Sequence, residues 1–231
     1  MTEWWTYRPG DFLMFAPRTY WRLFELHNQA WWPAQPLLLV AGVAWLVWWM
    51  RCGAPALRVG AAALALALAF VGWAFMLQRY APINWAASGF ALGFFVAAAA
   101  SAALASRSDL RAAPLGRLRA AWSLCGLALV GCPMLAAAFG RPATQAEFFG
   151  LAPDPTVLMT LGLLVGLQAN SALTRAVLAV LWVLVLIWCV VSAATLWTMG
   201  SAQGWVMFVS AAIAVASVRV SARHAARGRA Y

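Results

Sequence analysis

Lysine is absent from this 231-residue chain, and only six side chains are acidic. Without a lysine amine the chain cannot form a Schiff base with retinal or pyridoxal phosphate. It also cannot build a phosphate loop of the Gly-x-x-x-x-Gly-Lys kind. The two histidines, His27 and His224, stand near opposite ends of the chain, which excludes a haem held by two histidines on facing helices. Charged residues make up 10% of the chain and hydrophobic ones 65%, with a mean hydropathy of +0.80. A chain this poor in charge is a polytopic membrane protein, not a water-soluble globule.

Catalytic and metal chemistry find few residues to work with. No serine lies in a Gly-x-Ser-x-Gly turn, so a serine–histidine–acid hydrolase has no starting point. Cys132-Pro133-Met134 has the make-up of a soft-metal Cys-Pro motif. Cys125 lies two helical turns away, however, and the chain has no room for the cytosolic domains of a pump, so a helix kink at Gly131 and Pro133 is the better reading. Cys52, Cys125, Cys132 and Cys189 fall in or at the ends of apolar runs, as small hydrophobes do, whereas a disulfide framework would sit in loops. Ser88, Ser101, Ser123, Thr160, Ser192, Thr195, Ser210 and Ser217 lie inside apolar stretches and are expected to bond to helix backbone. No metal, no cofactor and no enzymatic activity are expected.

Hydrophobic runs of spanning length occur at residues 35–51, 57–77, 83–105, 119–139, 156–173, 175–198 and 204–220. Asp154, Pro155 and Thr156 read as a start signal for the fifth, with Asp154 capping free amides and proline in the first turn. That run ends in polar Gln168, Asn170 and Ser171, so a re-entrant half helix is the alternative. Charge favours a full crossing. Seven crossings place eleven arginines and Asp109 on one face, which then carries the whole net charge of +10. The other face holds Arg8, Arg18, Arg22, Arg79 and Arg141 against Glu3, Asp11, Glu25, Glu147 and Asp154 and sums to zero. Because arginine-rich loops stay in the cytosol, the amino terminus is expected in the periplasm and the tail, residues 221–231, in the cytoplasm. Residues 1–8 carry Glu3 and two tryptophans where a secretory leader would be basic, so the chain is expected to stay in the membrane.

Residues 1–34 form the first unit and residues 35–220 the bundle. A helix after Pro17 would place Tyr20, Leu23, Phe24, His27 and Trp31 on one stripe and Arg18, Arg22, Glu25 and Gln29 on another. Crossing the bilayer would cost roughly 2.5 to 3.5 kcal/mol for each arginine or acid near the centre, so this segment is expected to lie at the interface. Its Trp4-Trp5 and Trp31-Trp32 pairs suit an aromatic belt. The sharper alternative is a lid over an outward vestibule, with Asp11, Arg18, Arg22, Glu25, His27, Arg79, Tyr80, Arg141, Glu147 and Asp154 as ligand-binding or gate candidates.

Glu3-Trp4-Trp5-Thr6-Tyr7, Asp11 to Phe15, Pro17-Arg18-Thr19-Tyr20, Arg22 to Leu26, Gln78 to Trp85 and Phe149 to Pro155 together resemble a family of bacterial multi-pass inner-membrane proteins. The resemblance spans most of the chain. It implies membership of a group without an established activity, whose members are sometimes labelled permeases, and it brings no catalytic residue. The expected fold is therefore an all-α polytopic membrane helix bundle of about seven transmembrane helices, preceded by an amphipathic interfacial segment. The expected role is the handling of a neutral or weakly charged solute from the periplasmic side; the alternative is an accessory subunit of a larger membrane complex. The lipid bilayer, a small solute and a membrane-protein partner or homo-oligomer are the candidate partners. The basic tail is explained by orientation and anionic headgroups, so nucleic acid is not among them.

Overall fold

The structure is a computed structural model that describes residues 15–227, with side chains described as far as residue 221. Helix α1 (Pro17–Ala30) starts with a proline in its first turn, where the missing N–H costs nothing. Its stripe of Tyr20, Leu23, Phe24 and His27 is buried. The surface that buries it is protein: Phe24 packs on Phe75 with ring centroids 4.8 Å apart, and Tyr20 meets Tyr80 at 5.8 Å. Asn28 ties the helix down by donating to the carbonyls of Thr144 and Ala146 at 2.9 and 2.8 Å.

Six helices are long and apolar enough to cross a membrane, the build of a multi-pass membrane protein. They are α2 (Ala34–Cys52), α3 (Ala54–Phe70, running on as π-helical turns over Val71–Tyr80), α4 (Ala87–Ala105), the continuous α5 (Leu115–Gly126) and α6 (Cys132–Ala138), α8 (Ala172–Thr198) and α9 (Gly204–Arg227). A π-helical turn over Leu127–Gly131 joins α5 to α6 just ahead of Pro133, whose ring and missing N–H disfavour the regular α bond there.

The fifth apolar run departs from a full-length helix over 156–173. Helix α7 (Pro153–Gly166) is 14 residues long, and every one of them is buried. The chain then extends into β2 (Leu167–Ala169), which pairs antiparallel with β1 (Leu110–Ala112), Arg111 facing Gln168. Two contacts explain why the helix stops. Arg117 at the start of α5 donates from Nε to the Val165 carbonyl at 2.9 Å and from Nη2 to the Leu167 carbonyl at 3.0 Å. The Ala113 amide takes the Gly166 carbonyl at 2.9 Å. The carbonyls that a further helical turn would use are thus held by a buried guanidinium and a neighbouring strand.

α7 can be fully enclosed because it carries glycine where α5 comes closest. A Cβ on Gly162 would lie 2.4 Å from the Cys125 sulfur and 2.9 Å from the Ala121 carbonyl oxygen. Gly166, one turn on, faces Ala121 and Trp49. Small residues four apart let two backbones approach without lipid between them.

The ends of α7–β2 lie in opposite end layers of the bundle. At its start Asp154 bonds to Ser192, and β2 leads into Ser171 and Thr174, which bond to Asp109. Thr174 and Ser192 stand about 27 Å apart along α8 at 1.5 Å per residue. One end layer holds α1 and the 80–86, 139–152 and 199–203 connections; the other holds β1, β2 and the α2–α3 turn.

Candidate functional site

Two acids of the α1 layer, Glu147 and Asp154, are buried beneath α1, near enough for the charge of one to act on the other. Helix α6 ends in a Schellman turn: Gly140, at φ 69°, donates to Ala137 at 3.1 Å and Arg141 donates to Ala136 at 2.7 Å. Glycine is needed there because the left-handed conformation crowds a Cβ. The turn projects the Arg141 side chain over the layer, where its guanidinium lies 3.5 Å from the centroid of the Trp21 ring of α1, a cation–π contact. Arg141 Nη1 donates to the Gln145 carbonyl at 3.2 Å and Nη2 donates to Gln203 Oε1. Nη2 also stands 3.8 Å from Glu147 Oε1. Gln203 completes the link by donating from Nε2 to the same Glu147 oxygen at 2.5 Å.

Asp154 is the second acid. As the second residue of α7 it could cap that helix, as its position in the sequence suggests, but its side chain makes no cap bond. Its two oxygens instead accept from Trp188 Nε1 at 2.8 Å and Ser192 Oγ at 2.6 Å, both on α8. Thr156 does the local work, accepting from the Gly150 amide and donating to the Ala152 carbonyl. Glu147 and Asp154 are 3% and 4% exposed. Burial pushes the Glu147 carboxyl above the usual carboxylate range, and the charge of Asp154 adds to this; Arg141 and the Gln203 amide pull the other way. Tyr20 lies against the same group, and its phenol is raised well above its ordinary value by burial and then by the charges of Asp154 and Glu147. Arg141 thus stands against Glu147 alone, while Asp154 nearby is met only by neutral donors. With both acids ionised the network carries an excess negative charge, which a proton, a cation or a polar solute could relieve.

Of the residues singled out from the sequence, Arg141, Glu147 and Asp154 meet here, with Tyr80 packed on Tyr20. Arg18 is exposed, and Arg22 pairs with Glu25 at 2.5 Å on the open face of α1, away from the network. Arg79 is half-buried and lies near enough to His27 for its charge to act on the imidazole. Asp11 and Arg8 lie outside the described residues, as does the side chain of His224.

Local patterning did not flag Trp21, Trp188, Ser192 or Gln203. Thr160, Thr195 and Ser217 do bond to their own helix backbones, as polar residues in apolar helices are expected to, whereas Ser192 bonds to Asp154 and the buried Ser101 hydroxyl has no partner. All four cysteines are free, with Cys125, Cys132 and Cys189 buried and Cys52 exposed. Among the described residues no three His, Cys, Asp or Glu side chains come together to hold a metal ion.

Six helices long and apolar enough to cross a membrane, with a buried short one among them, suggest an α-helical multi-pass membrane protein. The chain belongs to DUF6064, a family of unknown function whose model matches residues 18–229. That match takes in α1 from its second residue on, together with Arg141, Glu147, Asp154 and Gln203. No curated protein and no solved structure matches the chain.

Proposed function

We propose that the chain is a non-enzymatic, permease-like protein of the bacterial inner membrane that handles a neutral or weakly charged solute at the Arg141–Glu147–Asp154 network. In this reading α7–β2 is a seventh crossing. The network faces the periplasm and the arginine-rich layer faces the cytoplasm, in keeping with the separation of charge along the chain. The observation that carries the reading is the pair of buried acids with a single guanidinium at the start of a short helix enclosed on all sides. Buried ionisable groups in a membrane bundle are costly and are retained where they act, and short or interrupted helices inside a bundle are a common way to build a solute site. Helix α1 covers the network and would have to shift for a solute to reach it, with Asn28 as its latch on the 143–146 turn.

The experiment is a thermal-shift screen of the full chain in nanodiscs against sugars, polyols and amino acids. A true ligand at 100 times its Kd stabilises by about 2.7 kcal/mol. Glu147→Gln and Asp154→Asn should erase the response, while Arg22→Ala should keep it. A screen with no hit, or a hit unaffected by either acid variant, overturns the reading.

The second reading, an accessory subunit, rests on α2. Only Gln35, Gly42 and Trp49 of its 19 residues are buried, so most of its surface is free for another membrane protein. Native mass spectrometry after gentle extraction decides: a reproducible second polypeptide supports this reading, and its absence removes it.

A further inference from the structure

Beyond the acid network, a groove of about 560 Å³ lies between α2 and α3, floored by Phe149, Gly150, Leu151 and Met159. This size is typical of small-molecule sites, which run from roughly 300 to 1,000 Å³. Its rim is formed by Leu37 and Leu66, which are 65% and 75% exposed. Both sit in spanning helices, so the mouth opens sideways towards the hydrocarbon of the bilayer and not towards water. Its walls carry no charged side chain. At the α1 end the groove is closed by Trp31, Phe70 and Leu151, with the Trp31 and Phe70 rings edge-on at 4.7 Å.

Directly behind that end wall lies His27. It is 2% exposed, and neither ring nitrogen has a partner at full hydrogen-bonding geometry, although the Leu151 backbone approaches one of them. Its ring is 6.4 Å from Trp31, 6.2 Å from Phe70 and 5.5 Å from Phe75, so two of the three rings around it also close the groove. A buried imidazole without a well-formed hydrogen bond is expensive, and such groups call for a partner. Arg79 is the charged group whose field reaches it, and the backbone of Leu151 is the polar group facing it.

We infer that the groove binds a single-chain amphiphile taken from the bilayer, its hydrocarbon tail lying along α2 and α3 and its hydroxyl or carbonyl end hydrogen-bonded to His27 once the Trp31 and Phe70 rings part. The tail matches the dry walls and the lateral mouth. A hydroxyl end can donate to the bare imidazole nitrogen or accept from the protonated one, and a carbonyl end can accept from the N–H. A wholly apolar ligand would leave His27 unsatisfied, and a charged headgroup would have to be stripped of water to pass two aromatic rings. The occupant is therefore uncharged at its polar end. This site is separate from the solute reading of the acid network, and either can fail alone.

The test is photo-crosslinking of the full chain in nanodiscs with two probes of equal length, a diazirine-bearing hexadecanol and the matching diazirine-bearing hexadecane. Labelled positions are mapped by peptide mass spectrometry. The alcohol should label residues 31–70 and 149–159 and be displaced by unlabelled hexadecanol. The alkane should label the same walls about tenfold more weakly. Ala67→Phe, which fills the groove, should remove both signals. His27→Phe should bring the alcohol down to the alkane level without changing the alkane, and His27→Gln, which keeps a donor and an acceptor, should restore part of the difference. Thermal melts of each variant show that it is folded. Equal labelling by both probes, or a His27→Phe variant that still prefers the alcohol, overturns the headgroup assignment. Labelling spread evenly over all lipid-facing helices, or a helix of another chain crosslinked along α2 and α3, overturns the groove itself.

Discussion

The two end layers of the bundle both pin charged side chains, and they do so in different ways. In the β1–β2 layer backbone supplies most of the partners of Arg117 and Asp109. The guanidinium of Arg117 is held by the Val165 and Leu167 carbonyls, and the carboxylate of Asp109 takes the Ser171 amide at 2.9 Å and the Thr174 hydroxyl at 2.8 Å. In the α1 layer the charges meet side chains: Arg141 meets Glu147 through Gln203, and Asp154 meets Trp188 and Ser192. Backbone partners move only if the fold moves, whereas side-chain partners can change by rotation about their own bonds. The β1–β2 layer is a clamp, and the α1 layer is the one whose partners can be exchanged, as the proposed solute site requires.

The comparison breaks most readily at Arg117. Arg117→Leu leaves two buried carbonyls without donors and should cost about 3 kcal/mol, taking each lost charged hydrogen bond at roughly 1.5. A large fall in melting temperature and in membrane yield would show it; a variant as stable as the parent would mean that β2 is held by other means. Next comes Asp154→Ala, which orphans the Trp188 and Ser192 donors and should cost about 2 kcal/mol. Asp154→Asn, which keeps an acceptor, should cost less than half of that while still abolishing any solute response. Chemical denaturation of the three proteins in one detergent ranks them.

The response to pH should differ in sign between the layers. Glu147 is raised in the folded protein, so its neutral form favours folding; that contribution is complete below the ordinary carboxylate range and is lost as pH rises through the folded value. Asp109 is lowered to about 2 by the Ser171 amide and then the Thr174 hydroxyl, so its contribution is present above the ordinary value and is lost as pH falls towards 2. Melting temperatures between pH 5 and 9 should therefore fall as pH rises, and Glu147→Gln should flatten that slope. Between pH 5 and 2 they should fall as pH drops, and Asp109→Asn should flatten that one. The smallest effect belongs to Arg22→Ala: an exposed i,i+3 pair contributes up to about 0.5 kcal/mol, and a larger loss would mean that the open face of α1 has a partner.

Features that repeat locally were legible in the sequence. Hydropathy located the six long helices, and the three-to-four spacing of Tyr20, Leu23, Phe24 and His27 located the buried stripe of α1. The same patterning marked Arg18, Arg22 and Glu25, but a charged stripe records only which face meets solvent. The partners of Asp154 lie more than thirty residues away in an apolar helix, where nothing local distinguishes Ser192 from Thr195. The end of α7 at Gly166 was equally hidden. Gln168 and Asn170 announce that polarity returns, but the strand that follows depends on β1 and Arg117, more than forty residues upstream. The surface that buries α1 is another long-range matter, since a half-apolar helix looks the same whether it faces lipid or Phe75.

The brevity of α7 also bears on how the protein is made. Fourteen helical residues and three extended ones reach about 31 Å, just the hydrocarbon thickness of roughly 30 Å, with nothing to spare. Its opening is Pro153, Asp154 and Pro155, and its far end is backbone that helix bonding leaves unpaired. Alone in lipid, such a segment would expose an acid at one end and bare carbonyls at the other. α8, which follows after two residues, supplies the Trp188 and Ser192 donors, and α5, made earlier, supplies Arg117. If α7–β2 is the seventh crossing proposed above, its insertion would have to wait for its successor: the pair would enter the bilayer as a hairpin against helices already in place.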